Sequence, residues 1–391
     1  MRNLVHDGAM PDLVFSDVDV LVAGEKPPED IAMRAGLLCR PGDGLRRVNC
    51  QDYAVLPGLI DAHGDGFERH LAPRRGAVRD LGEGLRAVDA ELAANGITTA
   101  VLAQFWSWEG GMRGPDFARD LAAALSEAAS ELVTRMILQL RLEICTDEGL
   151  AAAEEFITQA GIRYVVLNDH LPHEALLQNK KPPRLTGQAL KAGRAPDAHL
   201  KMLQRLHAME PAVRANLPAL CARLRAIGVR MGSHDDATPT GRRWYRDAGV
   251  QIAEFPETAE TARAARDGGD GIILGAPNLV RGGSHKGNLN AAEMVEAGLC
   301  DALASDYHYP SLRLAAFRLI QDGYSQEKAW DLVSSGPARL LGLKDRGHLR
   351  PGACADLVVI ARDTRRVEAT FVGGRVSYAG GGFAERLMEA A

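Results

Sequence analysis

Leu56-Pro-Gly-Leu-Ile-Asp-Ala-His-Gly-Asp65 is the stretch of this sequence that decides the fold. Its apolar run, typical of a strand buried on both faces of a parallel sheet, leads into His63 and Asp65. Side chains at i and i+2 of a strand point to the same face, so an imidazole nitrogen and a carboxylate oxygen can reach one metal ion. Alone, the pair is equally typical of a solvated turn. At the carboxyl end of a parallel strand, it indicates a barrel enzyme.

Composition limits the classes of protein to consider. The chain has 391 residues, 46% of them hydrophobic, enough for a barrel with a smaller domain. Its net charge of −5 argues against general nucleic-acid binding. No apolar segment is long enough to span a membrane, and the N-terminus shows no secretory signal. The six cysteines have no CxxC spacing, which predicts reduced thiols and a cytoplasmic location.

Both ends of the chain contain short alternating segments broken by Gly and Pro. Such segments are typical of antiparallel strands. We therefore predict a small β-sandwich built from residues 1–55 and 349–391. Its candidate strands are residues 13–22, 46–49, 53–55, 355–361, 367–372 and 375–378.

The middle of the chain alternates apolar strand-like runs with amphipathic runs rich in Ala, Leu, Glu and Arg. This alternation predicts an α/β fold, a (β/α)8 TIM-like barrel over residues 56–348. The eight candidate strands are Val55–Asp61, Gly96–Leu102, Arg135–Ile144, Tyr164–Leu167, Val229–Ser233, Val250–Ala253, Gly271–Leu274 and Leu299–Ser305. The clearest candidate helices are Leu81–Asn95, Asp116–Leu132, Leu217–Ile227 and Ala259–Asp267.

Several candidate strands end in polar residues, although an unpaired charge is costly to bury. A shared metal site at one end of the barrel explains them together. Three imidazoles and three carboxylates suffice for two divalent ions. Nitrogen and oxygen ligands without Cys fit zinc, with manganese or iron as alternatives. The candidate ligands are His63, Asp65, Glu143, His170, His234 and Asp306. The sixth strand also ends in a carboxylate, Glu254.

Longer motifs resemble the amidohydrolase superfamily, and within it the phosphonate-breakdown diphosphatases (PhnM-type). The resemblance spans roughly residues 50 to 375. It is carried by residues 56–65, Gly232-Ser-His-Asp-Asp-Ala-Thr238, Ile252-Ala-Glu-Phe-Pro-Glu-Thr258, Gly275-Ala-Pro-Asn-Leu-Val-Arg-Gly-Gly-Ser-His-Lys-Gly-Asn288 and Ala304-Ser-Asp-Tyr-His-Tyr-Pro-Ser311. Residues 67–74 and 347–356 also resemble this family.

Membership implies a binuclear-metal barrel beside a small β-sandwich, and the same six metal ligands. The implied reaction removes pyrophosphate from α-D-ribose 1-methylphosphonate 5-triphosphate in phosphonate catabolism. Relatives in the superfamily are often dimers, so the resemblance also implies a homo-oligomer with a small phosphorylated substrate.

Two motifs depart from the family pattern. The chain has His63-Gly-Asp-Gly66 where relatives usually have His-Thr-Asp-Asn, and it has Leu171-Pro-His173 where they often have Ser-Pro-Gly. Three alternatives therefore stay open. One is a diverged paralogue that acts on another phosphate ester. The second is an amidohydrolase that cleaves a C–N bond, in a cyclic amide, an N-acyl amino acid or a deamination substrate. The third is a binding or regulatory protein with an inactive metal site.

Two basic segments favour a phosphorylated substrate. Residues 171–201 carry six basic and two acidic side chains and contain Pro182-Pro183, which predicts a mobile lid. The glycine-rich loop after residue 280 lets backbone N–H groups approach an anion. The candidate substrate-binding residues are Arg69, Arg74, Lys180, Lys181, Arg281, Gly282, Gly283, Ser284 and Lys286. A solvated loop, a plain glycine-rich turn and surface salt bridges are the respective alternatives.

The predicted mechanism is attack of a metal-activated water on the α-phosphorus. Asp306 accepts the proton of that water. Lys and Arg donors, with His285, stabilise the departing pyrophosphate.

Overall fold

The computed structural model describes residues 12–18, 30–42, 45–72, 80–282 and 291–390. Within these residues, strands β1 to β16 are Leu13–Ser16, Asp30–Arg34, Leu37–Cys39, Arg46–Asn49, Tyr53–Pro57, Leu59–Gly64, Ile97–Trp106, Arg135–Glu143, Tyr164–Asn168, Arg230–His234, Ile252–Glu254, Gly271–Gly275, Ala302–Ala304, Leu357–Ala361, Val367–Val372 and Arg375–Ala379. Helices α1 to α15 are Glu68–Leu71, Leu81–Ala94, Pro115–Ala128, Gly149–Gln159, His173–Leu177, Leu185–Lys191, Pro196–Ala226, Pro239–Asp247, Ala259–Asp267, Ala276–Arg281, Ala291–Glu296, Ser311–Gln321, Gln326–Asp331, Ser335–Leu341 and Gly381–Glu389. A 3-10 turn covers Gly111–Arg113. None of the helices that can be described combines the length and apolar character needed to cross a bilayer.

Strands β6 to β13 form one eight-stranded sheet in sequential order. Neighbours such as β8 and β9, β9 and β10, and β12 and β13 pair in parallel. A parallel bridge between Gly64 and Asp306 brings the β6 edge against the β13 edge, which nearly closes the barrel. The predicted (β/α)8 fold is confirmed.

The chain divides into two compact units. The first contains residues 1–101, 127–137 and 273–391, and the second contains residues 102–126 and 138–272. The predicted boundaries of the small domain, at residues 55 and 349, stay a prediction.

The first unit contains the predicted sandwich of the two termini. Its two four-stranded sheets run β3-β2-β1-β4 and β16-β15-β14-β5. They share one apolar core, in which the Phe15 ring lies 5.3 Å from that of Phe371 and 6.5 Å from that of Phe383. The pair β1–β4 differs from the predicted antiparallel arrangement, since its strands are parallel. β2 pairs with the other edge of β1 and is antiparallel to it.

The second unit contains helices where the sequence predicts a mobile lid. Residues 171–201 form α5, α6 and the beginning of α7. Pro196 occupies the first turn of α7, where a missing N–H costs nothing. Leu203, Leu206, Leu217 and Leu220 of the same helix are buried in the core of this unit. The pair Pro182-Pro183 therefore separates helices.

Candidate active site

Strand β8 carries a row of buried polar side chains. Gln139, Arg141 and Glu143 alternate with Leu140 and Leu142, which belong to the apolar core of the second unit. All three polar residues are buried as well. Because alternate residues of a strand point to opposite faces, the polar row faces away from that core. The period-two alternation was visible in the sequence, but only Glu143 was recognised as a candidate.

The structure brings two predicted ligands, Glu143 and His170, together. One carboxylate oxygen of Glu143 accepts from the backbone N–H of His170 at 3.0 Å, and the other lies 2.5 Å from Nδ1 of the ring. Burial lowers the pKa of His170, but the hydrogen bond and charge of Glu143 outweigh it, so the pKa is raised. The carboxylate thus fixes the orientation of the imidazole.

His234 and Glu254 form a second pair, at the carboxyl ends of β10 and β11. They are register partners in the parallel ladder, and His234 Nδ1 lies 3.2 Å from Glu254 Oε2. The other oxygen of Glu254 accepts from Gln139 Nε2 at 2.8 Å and from the Tyr164 hydroxyl at 2.5 Å. Sequence reasoning noted Glu254 at a strand end but left it out of the ligand set. Its contact with His234 makes Glu254 a further candidate ligand.

Arg141 supplies a buried cation beside these side chains. Its Nη2 lies 2.7 Å from His234 Nε2, and its guanidinium carbon lies 4.0 Å from the centroid of the Phe105 ring. The rings of His170 and His234 are 6.2 Å apart, edge to face. Sequence reasoning missed Arg141, which sits inside a strand.

In the first unit, the backbone brings His63, Asp65 and Asp306 together. The Asp306 N–H donates to the His63 carbonyl at 3.0 Å, and the Asp65 N–H donates to the Asp306 carbonyl at 2.8 Å. The His63 side chain is fully buried. Asp306 has a φ of 56°, a left-handed turn directly after β13. The predicted pair and the predicted base therefore lie side by side.

Asp61 stabilises this part of the first unit through hydrogen bonds with Ser305. Its two carboxylate oxygens accept from the backbone N–H of Ser305 at 2.9 Å and from the Ser305 hydroxyl at 2.5 Å. Burial raises the pKa of Asp61 to about 7, although the Ser305 hydrogen bonds oppose the shift. This contact anchors β6 to the residue that precedes Asp306.

Two predicted phosphate-binding residues meet at Tyr307, which sequence reasoning missed. Arg69 donates to the Tyr307 carbonyl at 2.9 Å and also binds Glu91. Arg281 donates to the Tyr307 hydroxyl, and at 2.7 Å to the side-chain oxygen of Asn278. Both arginines are thus held beside the residue that follows Asp306.

The structure also describes three other predicted substrate-binding residues. Lys180 and Lys181 are exposed and line a cavity of about 240 Å³ between the helices of the insertion. Gly282 ends α10 with a φ of 79°. The remaining candidates lie outside the described residues: Arg74, Gly283, Ser284, His285 and Lys286.

The available donor atoms fit a divalent metal of the zinc, manganese or iron type. They are imidazole nitrogens and carboxylate oxygens, which these ions accept. Cys145 lies two positions after Glu143, and burial raises the pKa of its thiol to about 12.

Comparison with known proteins identifies the family of this chain. A family model described as "Amidohydrolase family" matches residues 68–378. The chain belongs to the amidohydrolase family. Enzymes of the amidohydrolase family are generally metal-dependent, in keeping with the His and Glu donors at these strand ends.

Individual amidohydrolase relatives extend the comparison. The chain is 33% identical over 328 residues to the α-D-ribose 1-methylphosphonate 5-triphosphate diphosphatase of Escherichia coli K12, covering 81% of this chain and 86% of that protein. Among solved structures, an amidohydrolase from a Sargasso Sea environmental sample superimposes with a TM-score of 0.65 at 17% identity, covering 97% of both chains. The N-acetylglucosamine-6-phosphate deacetylase of Pasteurella multocida gives 0.63 at 11% identity, covering 94% of this chain and 100% of that one. At these identities the two structures show the fold alone.

Proposed function

We propose that this amidohydrolase releases pyrophosphate from α-D-ribose 1-methylphosphonate 5-triphosphate and leaves the 5-monophosphate. The observation that carries the proposal is the 33% identity to the Escherichia coli diphosphatase over most of both chains. The two arginines held at Tyr307 add the positive charge that a triphosphate requires.

We further propose that two divalent ions, preferably zinc, are held at the carboxyl end of the barrel. The proposed ligands are His63, Asp65, Glu143, His170, His234 and Asp306, with Glu254 added. Parallel strands of a barrel end at the same mouth, which is the reason for grouping these residues. When bound, such ions polarise a phosphoryl oxygen and lower the pKa of water.

The chain's own residues supply the remaining steps. Asp306, fixed through its backbone between His63 and Asp65, accepts the proton of the attacking water. Arg69 and Arg281 bind the phosphate oxygens of the leaving group. Phosphoryl transfer depends mainly on positioning and charge neutralisation, and these residues provide both.

The test is a substrate comparison with one purified preparation. It is incubated with the ribose methylphosphonate triphosphate, with an N-acyl amino acid and with a cyclic amide, while pyrophosphate, free amine and ring opening are measured. We expect pyrophosphate from the first alone. Turnover of an amide without pyrophosphate release would instead establish C–N bond hydrolysis, and release from another phosphate ester alone would indicate a diverged paralogue.

Metal analysis of the same preparation addresses the inactive-site alternative. We expect close to two ions per chain, whereas a protein with an inactive site should retain few. The predicted dimer is checked by light scattering, and the predicted cytoplasmic location by cell fractionation. Both remain predictions.

A further inference from the structure

The contact between Arg141 and His234 determines which ring nitrogen carries the proton. A guanidinium has donors only, so His234 Nε2 must accept from Arg141 Nη2 across 2.7 Å. In a neutral ring the proton is then on Nδ1, which donates to Glu254 Oε2 across 3.2 Å. Both nitrogens of His234 are therefore used within the second unit.

While the hydrogen bond to Arg141 is in place, His234 cannot also bind a metal ion. A neutral imidazole has one lone pair available for bonding and one N–H. If an ion takes the lone pair of Nε2, that nitrogen can no longer accept from Arg141. If an ion takes Nδ1 instead, the proton moves to Nε2, and Arg141 again faces an N–H. Either way, the Arg141–His234 hydrogen bond must break when a metal binds.

We propose that Arg141 and a metal ion exchange at His234, and that the displaced guanidinium binds a phosphate group of the substrate. Arg141 is 5% exposed and stacks on Phe105, so it stays inside the barrel after it leaves the imidazole. A guanidinium in a buried site binds phosphate in a bidentate manner. Arg141 would then couple metal loading to substrate binding. The second half of the proposal depends on the proposed function.

The chain offers a matched control in Arg113. Its guanidinium carbon lies 4.3 Å from the centroid of the same Phe105 ring, but it is paired with Glu109 at 3.1 Å. Replacing Arg113 therefore removes an arginine from the same aromatic ring without removing the donor to His234. Both arginines are changed to methionine, which keeps much of the side-chain volume.

The first experiment uses the full chain freed of metal with a chelator and titrated with Zn²⁺ by calorimetry. We expect Arg141→Met to bind zinc about tenfold more tightly than wild type, because the ion no longer has to break a charge-assisted hydrogen bond to His234. Arg113→Met should bind as wild type does. If Arg141→Met does not fold, Arg141→Gln serves, since its amide is uncharged. Zinc affinity within twofold of wild type in the folded variant overturns the exchange.

The second experiment titrates inorganic phosphate into the zinc-loaded proteins. We expect binding about tenfold weaker for Arg141→Met than for wild type, the loss of one charge-assisted hydrogen bond. Arg113→Met should again match wild type. Equal phosphate affinity in wild type and Arg141→Met overturns the anion-binding role.

These results separate the inference from the proposed function. Neither titration uses the triphosphate. A wild-type protein that releases no pyrophosphate but shows both expected shifts refutes the proposed substrate and keeps the role of Arg141. Normal pyrophosphate release with neither shift supports the proposed substrate and refutes the role of Arg141.

Discussion

The backbone N–H of Asp306 donates to the carbonyl of His63 at 3.0 Å, so the last strand of the barrel is tied to the first at the predicted ligand. The Asp306 side chain takes no part in that bond. The carboxylate can therefore be altered while the backbone that positions it is kept, and its chemical role can be tested separately from the fold.

We expect Asp306→Asn to lower kcat by about 10²- to 10⁴-fold, the usual contribution of a general base. The melting temperature should stay near that of wild type, because both backbone bonds remain. Pyrophosphate release and thermal unfolding are the measurements. Wild-type turnover in the metal-loaded variant would rule out Asp306 as the base.

Glu254→Gln should bind zinc about 10- to 100-fold more weakly than wild type, because an anionic donor beside His234 becomes neutral. Metal content after dialysis measures the loss. Glu210→Gln is the control, since Glu210 is a carboxylate of the same unit that pairs with Arg214 and contacts no proposed ligand in the contacts described above. Retention of the wild-type metal content by Glu254→Gln would exclude Glu254 from the ligand set.

Arg281→Met should raise KM for the triphosphate by about tenfold or more, because a hydrogen bond to a charged group contributes about 1.5–3 kcal/mol. The effect should shrink at high salt, which screens exposed charges. Arg263→Met is the control, an exposed arginine near Glu260 on α9. An unchanged KM would show that the Tyr307 corner does not contact the phosphates.

Glu154 predicts a pH dependence of stability away from the active site. A bidentate hydrogen bond from Arg223, with both distances at 2.7 Å, lowers the pKa of Glu154. A carboxylate whose folded-state pKa is lowered stabilises the fold above its unfolded pKa, and this contribution disappears as the pH falls through the folded pKa. We expect Glu154→Gln to reduce the free energy of unfolding by less than about 1 kcal/mol at pH 7, since the pair is partly exposed.

Urea unfolding at pH 7 and at pH 3 measures this difference, which should decrease at the lower pH. A difference of the same size at both pH values would assign the effect to packing between α4 and α7.

Much of the barrel could be predicted because its strands are apolar runs that end in polar residues. Residues 135–144 were predicted within one residue of the observed β8. The insertion was harder, because its short helices lie between prolines and take part of their stability from α7.

The site was predictable where one residue type carries the signal, as at His63 or His234. It was not predictable where the role of a residue depends on a contact with a residue distant in sequence. The sequence shows Arg141 only as a cation within a strand, and its contact with His234 appears only in the fold. Glu254 ends a strand of only three residues. Tyr307 lies within the motif at residues 304–311, but its role becomes visible only because two arginines converge on it.

The pairing of β5 with β14 has a consequence for synthesis on the ribosome. Tyr53 and Ala361 are partners in that antiparallel ladder, so β5 is synthesised before the whole barrel and its partner strand only after it. Until then the edge of β5 is exposed while the barrel sequence emerges, and unpaired edges are prone to aggregation. Truncation before β14 should therefore yield chains that depend on chaperones.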